Sequence, residues 1–428
     1  MAIALVIGNM IGSGLFLLPA SLAPYGAAAI LGWAASTVGA LALARVFARL
    51  SRHLPRSGGP YAYARLAFGD GVGFTVAWSY WVSTWCGNAA IAVAFAGYFG
   101  ALVPSATSTP LRASLTAIAA LWVCTFTNVL GLRSAGRMQV LTTILKMAPL
   151  LAFALFALPS IEPGAWQPFN RSGEGLWSVL IATTALTMWA FLGLESATVP
   201  AGDVRDPARN VPIATLVGSG IAIAVTVLAC MGVVGLLPAN VLAISSAPFA
   251  DAATRIWGGH AGTLFAGAAA IACFGALNGW VLVQGQVPLA AARDGVFPGF
   301  FAREDVRGTP VHGLVFGSLL ASALVLSNVD KTLVQLFTFS ILLSTAATLL
   351  PYVVCSAADL RLHRPTSMRA RSCITTAISV VALAFSLGAL IGTGIKALFW
   401  GVVLVTAGLP VYRHQRGRHR SSSPDASL

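Results

Sequence analysis

Twelve apolar runs follow one another along the chain, each near the roughly 20 residues a helix needs to cross a bilayer. They fall at about 2–22, 28–50, 72–101, 113–132, 138–159, 176–199, 212–237, 262–291, 312–328, 333–356, 373–393 and 396–413, the last two parted only by Gly392–Lys396. Charged residues are 9% of the chain, against roughly a quarter in soluble domains. So few charges cannot give several soluble domains a solvated surface. Composition therefore excludes a disordered chain, a coiled coil, a disulfide scaffold and an ordinary soluble enzyme. It leaves an all-α polytopic membrane protein, because backbone groups in lipid must pair within their own segment.

The net charge of +13 does not point to nucleic acid, whose ligands cluster basic residues on one polar surface. Here they sit in short connections. Those after even-numbered runs, with the tail, hold 20 Lys and Arg; those after odd-numbered runs hold five, Arg112, Arg171, Arg255, Lys331 and Lys396, and Lys146 stays inside a run. The positive-inside rule then puts both termini in the cytoplasm, and the regularity of the split supports twelve spans. The first run lacks the basic flank of a signal peptide. Only seven residues precede Gly8, so either the chain starts further upstream or its first half-helix is abbreviated. Residues 413–428 are basic and then Ser-rich, read as a disordered cytoplasmic tail. The six cysteines lie in or beside apolar runs with no CxxC pair, which gives no metal or redox motif.

Two runs carry breaks. The first reads Gly8-Asn9-Met10-Ile11-Gly12-Ser13-Gly14. Glycine weakens a helix by up to about 1 kcal/mol relative to alanine. One reading is close helix packing through Gly8 and Gly12. The other is an unwound stretch in mid-membrane, tolerated only where it lines a cavity. There Ser13 O–H and Gly14 N–H suit a carboxylate, and carbonyls such as that of Met10 suit an ammonium. The sixth run reads Trp189-Ala190-Phe191-Leu192-Gly193-Leu194-Glu195-Ser196. Gly193 marks a second break, and Glu195 is the one acid inside a run. A carboxyl in lipid is functional by default and suits a proton-sensitive switch, or else is neutral and hydrogen-bonded within the bundle. Breaks five runs apart fit a five-plus-five inverted repeat with its site at the midplane.

These residues, with Ser57-Gly58-Gly59-Pro60-Tyr61-Ala62-Tyr63, Asp206-Pro207-Ala208-Arg209-Asn210-Val211-Pro212-Ile213 and Gly308-Thr309-Pro310, resemble the motifs of the amino acid–polyamine–organocation (APC) transporters, in order and over nearly the whole length. Within that family the chain is most similar to bacterial arginine/agmatine antiporters. The resemblance implies a LeuT-like fold. Its first repeat would span about 1–159 and its second about 176–356, with helices 11 and 12 at about 373–412, in one transporter domain over 1–412. It also implies a bacterial inner membrane and a homodimer. For the site, Asn9, Ser13 and Gly14 would hold the substrate's α-amino and carboxylate end, and carbonyls of Met10, Trp189 and Leu192 would accept from its ammonium. Ser83, Thr84 and Asn88, in Trp81-Val82-Ser83-Thr84-Trp85-Cys86-Gly87-Asn88, fall on guanidinium-contact positions. Trp280 would stack on the cation and Ser344 would complete the polar cup. Tyr80, Glu195 and Tyr352 match gating or proton-sensing positions. By residue type alone, Trp280 also reads as a packing residue, Trp189 as a gate, and the tyrosines as interface anchors.

Two departures qualify the resemblance. The Ser83-Thr84 pair is more polar than the branch suggests. Lys146 is not expected in the arginine/agmatine branch; other family members place a lysine there, its ammonium standing in for a sodium ion beside the first break. It either carries a coupling proton or snorkels to an interface. Two functions follow. One is exchange of a cationic amino acid for its decarboxylated amine, which exports protons because decarboxylation inside consumes one. The other is a proton-coupled permease of neutral amino acids using Lys146. A channel needs a continuous polar path, and an enzyme needs chemistry that no HExxH or in-run His pair supplies. No cofactor is expected.

Overall fold

The structure is a computed structural model that describes residues 2–362 and 370–421. Among the described residues every regular element is helical. The first run forms three pieces, α1 (Ala2–Met10), α2 (Ser13–Phe16) and α3 (Leu18–Leu22). Then come α4 (Ala29–His53), a short α5 (Pro60–Phe68), α6 (Asp70–Leu102), α7 (Pro110–Val129) and α8 (Leu132–Ala157). Next are α9 (Leu176–Trp189), α10 (Pro207–Leu236), the short α11 (Ala239–Leu242) and α12 (Pro248–Trp257), and α13 (Gly259–Arg293). The chain ends in α14 (Val311–Leu326), α15 (Leu333–Leu362), α16 (Ala370–Gly392), α17 (Ile395–Thr406) and α18 (Gly408–Ser421). Among the described residues nine helical stretches are long and apolar enough to cross a membrane, and α9 and α14 are apolar but shorter. The chain is a multi-pass membrane protein.

The site sits on the central helices. Buried residues cover nearly every face of α6 between Phe74 and Tyr98, as expected of a helix enclosed by others, and α13 and α15 pack along it. By contrast α16 and α17 leave most of their apolar surface outward. Small residues let the central helices approach. A Cβ on Gly12 would lie 2.4 Å from Ala276 Cβ on α13, so Gly12 serves close helix packing as well as the break.

Three features differ from the sequence reading. Helices outrun the apolar stretches, so Arg45, Arg49 and Arg52 lie on α4 rather than in a loop. Asp359, just past the tenth run, lies inside α15 and is buried. Its carboxylate pairs with Arg49 of α4 and accepts from Ser379 Oγ of α16 at 2.6 Å, so Glu195 is not the one acid within the bundle. Finally, α18 carries the chain as helix past Arg413 to Ser421, where the sequence pointed to disorder; residues 422–428 lie outside the described residues.

Candidate functional site

The first break is a redistribution of hydrogen bonds. Helix α1 ends at Met10, and Gly12 N–H donates to Met10 O at 3.1 Å instead of to Gly8 O. A carbonyl so freed and buried needs another donor. Lys146 Nζ of α8 supplies it, donating to Gly8 O at 2.7 Å and also to Ile11 O. Lys146 is fully buried, so it does not snorkel. A second carbonyl at the break, Asn9 O, accepts Trp280 Nε1 of α13 at 3.2 Å. Helix α2 opens with Ser13 and Gly14; the expected contacts of these two fall on side chains outside the described residues.

The second break begins where α9 stops at Trp189. Residues 190–195 continue as turns, with Leu192 N–H on Trp189 O at 3.2 Å and Ser196 N–H on Gly193 O at 3.0 Å. Gly193 holds φ 102°, which side-chain-bearing residues rarely adopt. It faces the first break: a Cβ on Gly193 would lie 3.2 Å from both Asn9 Cβ and Trp280 Cζ2. The Trp280 indole thus touches both breaks. Met10 O and Trp189 O each already accept one backbone N–H and keep a second lone pair.

Just beyond, the fully buried Glu195 collects three donors: Tyr80 O–H of α6 at 2.5 Å, Tyr352 O–H of α15, and Gly193 N–H at 3.2 Å. Both tyrosines are buried and are not interface anchors. This triad joins α6, α15 and the second break.

Around Trp189, three predicted hydroxyls are brought onto backbone carbonyls. Ser83 Oγ donates to Tyr80 O at 2.6 Å, Thr84 Oγ1 to Trp81 O at 2.7 Å, and Ser344 Oγ of α15 to Ser83 O at 2.7 Å. A Cβ on Gly87 would meet Trp189 Cη2 at 3.0 Å and Ser344 Oγ at 3.2 Å, so the absent side chain there is what admits the indole. Each hydroxyl has spent its proton, and what it retains for a ligand is lone pairs.

Asn88 goes elsewhere. Its Nδ2 donates to Gln284 Oε1 of α13 at 2.7 Å, and Gln284 Nε2 donates to Leu314 O at 2.9 Å and Ser318 Oγ at 3.2 Å. Sequence reasoning missed Gln284. The available signal was its position one turn after Trp280, on the same helix face. Asn88 Oδ1 and Trp189 Nε1 have no hydrogen-bond partner among the described residues.

The loop motif after α4 ties the second break to the same end of the bundle as α5. Gly58 N–H donates to Val199 O at 2.9 Å and Gly202 N–H to Ser57 Oγ at 3.0 Å. On α5, Tyr61 O–H donates to Asp294 Oδ2 at 2.9 Å and Arg65 pairs with the same carboxylate at 2.8 Å. Burial, and then the Asp294 carboxylate it bonds, push the Tyr61 phenol above its usual range.

The amino acid permease family model matches residues 1–412. The chain is 33% identical over 426 residues to the cadaverine/lysine antiporter of Escherichia coli strain K12, covering 98% of this chain and 95% of that protein. It is 30% identical over 409 residues to the putrescine transporter PotE of the same organism, covering 94% and 92%, and 31% identical to that of Haemophilus influenzae, covering 94% and 93%. The family is one of transporters, not enzymes. With two opposed helix breaks at the centre of an all-helical membrane bundle and a match along nearly its whole length, the chain belongs to the amino acid permease family of the APC superfamily.

Proposed function

We propose that this protein exchanges a cationic amino acid for the amine its decarboxylation yields. Arginine/agmatine and lysine/cadaverine are the pairs in question. The carrying observation is the Trp280 indole, bonded to Asn9 O at the first break and packed on Gly193 at the second. A guanidinium or ammonium over an indole gains up to about 2 kcal/mol when desolvated. The hydroxyls of Ser83, Thr84 and Ser344, their protons spent on carbonyls, add acceptors suited to a cation. Their polarity, a departure from the arginine/agmatine branch, and the cadaverine/lysine relative together favour the lysine pair as the first to test.

In this reading the α-ammonium of the amino acid rests on spare lone pairs of Met10, Trp189 and Leu192 carbonyls, and its carboxylate on Ser13 and Gly14. Asn88 and Trp189 turn their unpartnered atoms to the ligand. Among the described residues the carboxylate nearest the breaks, Glu195, is occupied by Tyr80 and Tyr352, which leaves the cargo without a fixed anion and keeps release easy. Opening that triad exposes the site to one side; moving Trp189 exposes it to the other. The frame is a twelve-span, five-plus-five inverted repeat with both termini cytoplasmic.

A second reading has its own observation. Lys146 bonds two carbonyls of the first break, and a proton leaving it would weaken both bonds by removing their charge assistance. That suits a proton-coupled permease of neutral amino acids. The experiment uses vesicles loaded with cadaverine or agmatine and labelled lysine or arginine outside. Uptake that requires the internal amine supports exchange. Alanine or leucine uptake, abolished by Lys146→Ala, with none of the cations, sinks it.

A further inference from the structure

A cavity of about 740 Å³ lies between α3, α9, α15 and the turn joining α16 to α17. It reaches Leu186, one turn before Trp189, so its inner wall shares α9 with the candidate site. Its other end carries Lys331 and Lys396, two of the five basic residues assigned to the odd-numbered connections. They converge on one ring: Lys331 Nζ lies 4.5 Å and Lys396 Nζ 5.5 Å from the Phe339 centroid. Lys331 also donates to Asn328 Oδ1. Among the described residues no acidic side chain lines the cavity, and neither lysine forms an ion pair.

Two ammonium groups over one ring, neither ion-paired among the described residues, repel each other. Partial burial, and behind it the like charge of Lys396, hold the Lys331 amine below the usual lysine range. An anion entering the cavity relieves that repulsion. The two compounds exchanged under the reading above differ in one respect: the amino acid carries an α-carboxylate and the amine does not. At neutral pH the amine is a dication, which this pair repels.

We propose that Lys331 and Lys396 form a carboxylate subsite at the cavity mouth that selects the amino acid over its amine for entry from that face. The inference rests on the exchange reading. The vestibule then biases exchange towards amino acid in and amine out. Each lysine acts on the carboxylate as one exposed ion pair, so removing both changes affinity about three- to tenfold.

The test is uptake in vesicles of purely zwitterionic lipid, with KM measured from the Lys331 face for lysine and for cadaverine. Lys331→Met with Lys396→Met keeps both aliphatic stems over Phe339. The expected result is a lysine KM raised about three- to tenfold, with the cadaverine KM unchanged or lowered and KM values from the opposite face unmoved. Lys331→Arg with Lys396→Arg retains the wild-type ratio. Equal changes for both compounds, or an unchanged ratio, overturn the proposal. So does a ratio shift seen only when anionic lipid is added, which makes a headgroup the ligand. Wild-type protein that exchanges neither lysine for cadaverine nor arginine for agmatine overturns the exchange reading, and the subsite with it.

Discussion

Replacing Lys146 by methionine separates a pin on the first helix break from an ordinary buried residue. Methionine keeps the apolar stem and deletes both donors, to Gly8 O and Ile11 O. A hydrogen bond from a charged donor contributes about 1.5–3 kcal/mol, so the unwound Ile11–Gly12 segment loses about 3–6 kcal/mol relative to a rewound helix in which Gly8 O recovers Gly12 N–H. If other donors offset half of this, about 2 kcal/mol remains, a factor of roughly thirty. Under the exchange reading substrate binds the unwound form, so with the two forms close in energy its apparent Kd rises by up to that factor. Global stability moves differently. Removing a buried ammonium also removes its desolvation penalty, which offsets the bonds lost. Equilibrium binding to purified Lys146→Met protein, beside its thermal midpoint, reads both. The expectation is a Kd raised by up to about thirtyfold with the midpoint close to wild type. A Kd within about threefold of wild type, or a midpoint far below it, refutes the pin.

Trp280→Leu removes the indole that spans both breaks and raises the KM for the cationic substrate about tenfold to thirtyfold; uptake kinetics check this, and an unchanged KM removes Trp280 from the site. Gly193→Ala forces a Cβ onto a backbone at φ 102°, against Asn9 and Trp280, costing roughly 1–2 kcal/mol from the backbone alone; reduced exchange from protein that still purifies is expected, and wild-type rates count against it. Glu195→Gln keeps the shape of the triad with Tyr80 and Tyr352 but removes its titration, so the pH dependence of exchange flattens while binding persists; a pH profile superimposable on wild type contradicts a sensing role. Arg49→Leu strips the guanidinium from the buried Asp359 carboxylate and destabilises the bundle by about 3–5 kcal/mol, a loss that Arg49→Leu with Asp359→Leu largely restores on a thermal-midpoint assay.

The spans were legible because lipid allows the backbone few choices, and runs of twenty apolar residues announce helices. The breaks were legible for the opposite reason: Gly12 and Gly193 are poor residues for a helix interior, and both sit where the helix stops. Glu195 stood out as a charge in an apolar run. Asp359 did not, because hydropathy ends the run before the helix ends, and its partner Arg49 is 310 residues away in sequence. Gln284 was hidden inside a long apolar helix, and only its spacing from Trp280 hinted at the site. That Lys146 meets the first break came from family resemblance; nothing local to residue 146 says which carbonyls it reaches. Asn88 illustrates the remaining gap. Its position suggested a ligand contact, yet half of its amide bonds a residue that only the packing of α6 on α13 brings near.

The direction in which charge moves tests the exchange claim most directly. Lysine or arginine enters with one positive charge and the diamine leaves with two, so each exchange carries one positive charge outward. A proton-coupled permease of neutral amino acids carries one inward. An elementary charge crossing the membrane is worth about 2.3 kcal/mol per 100 mV, enough to separate the two at modest clamped potentials. In vesicles loaded with the amine, the account predicts that an inside-positive potential accelerates uptake of labelled lysine or arginine and an inside-negative potential slows it. Acceleration by an inside-negative potential contradicts it.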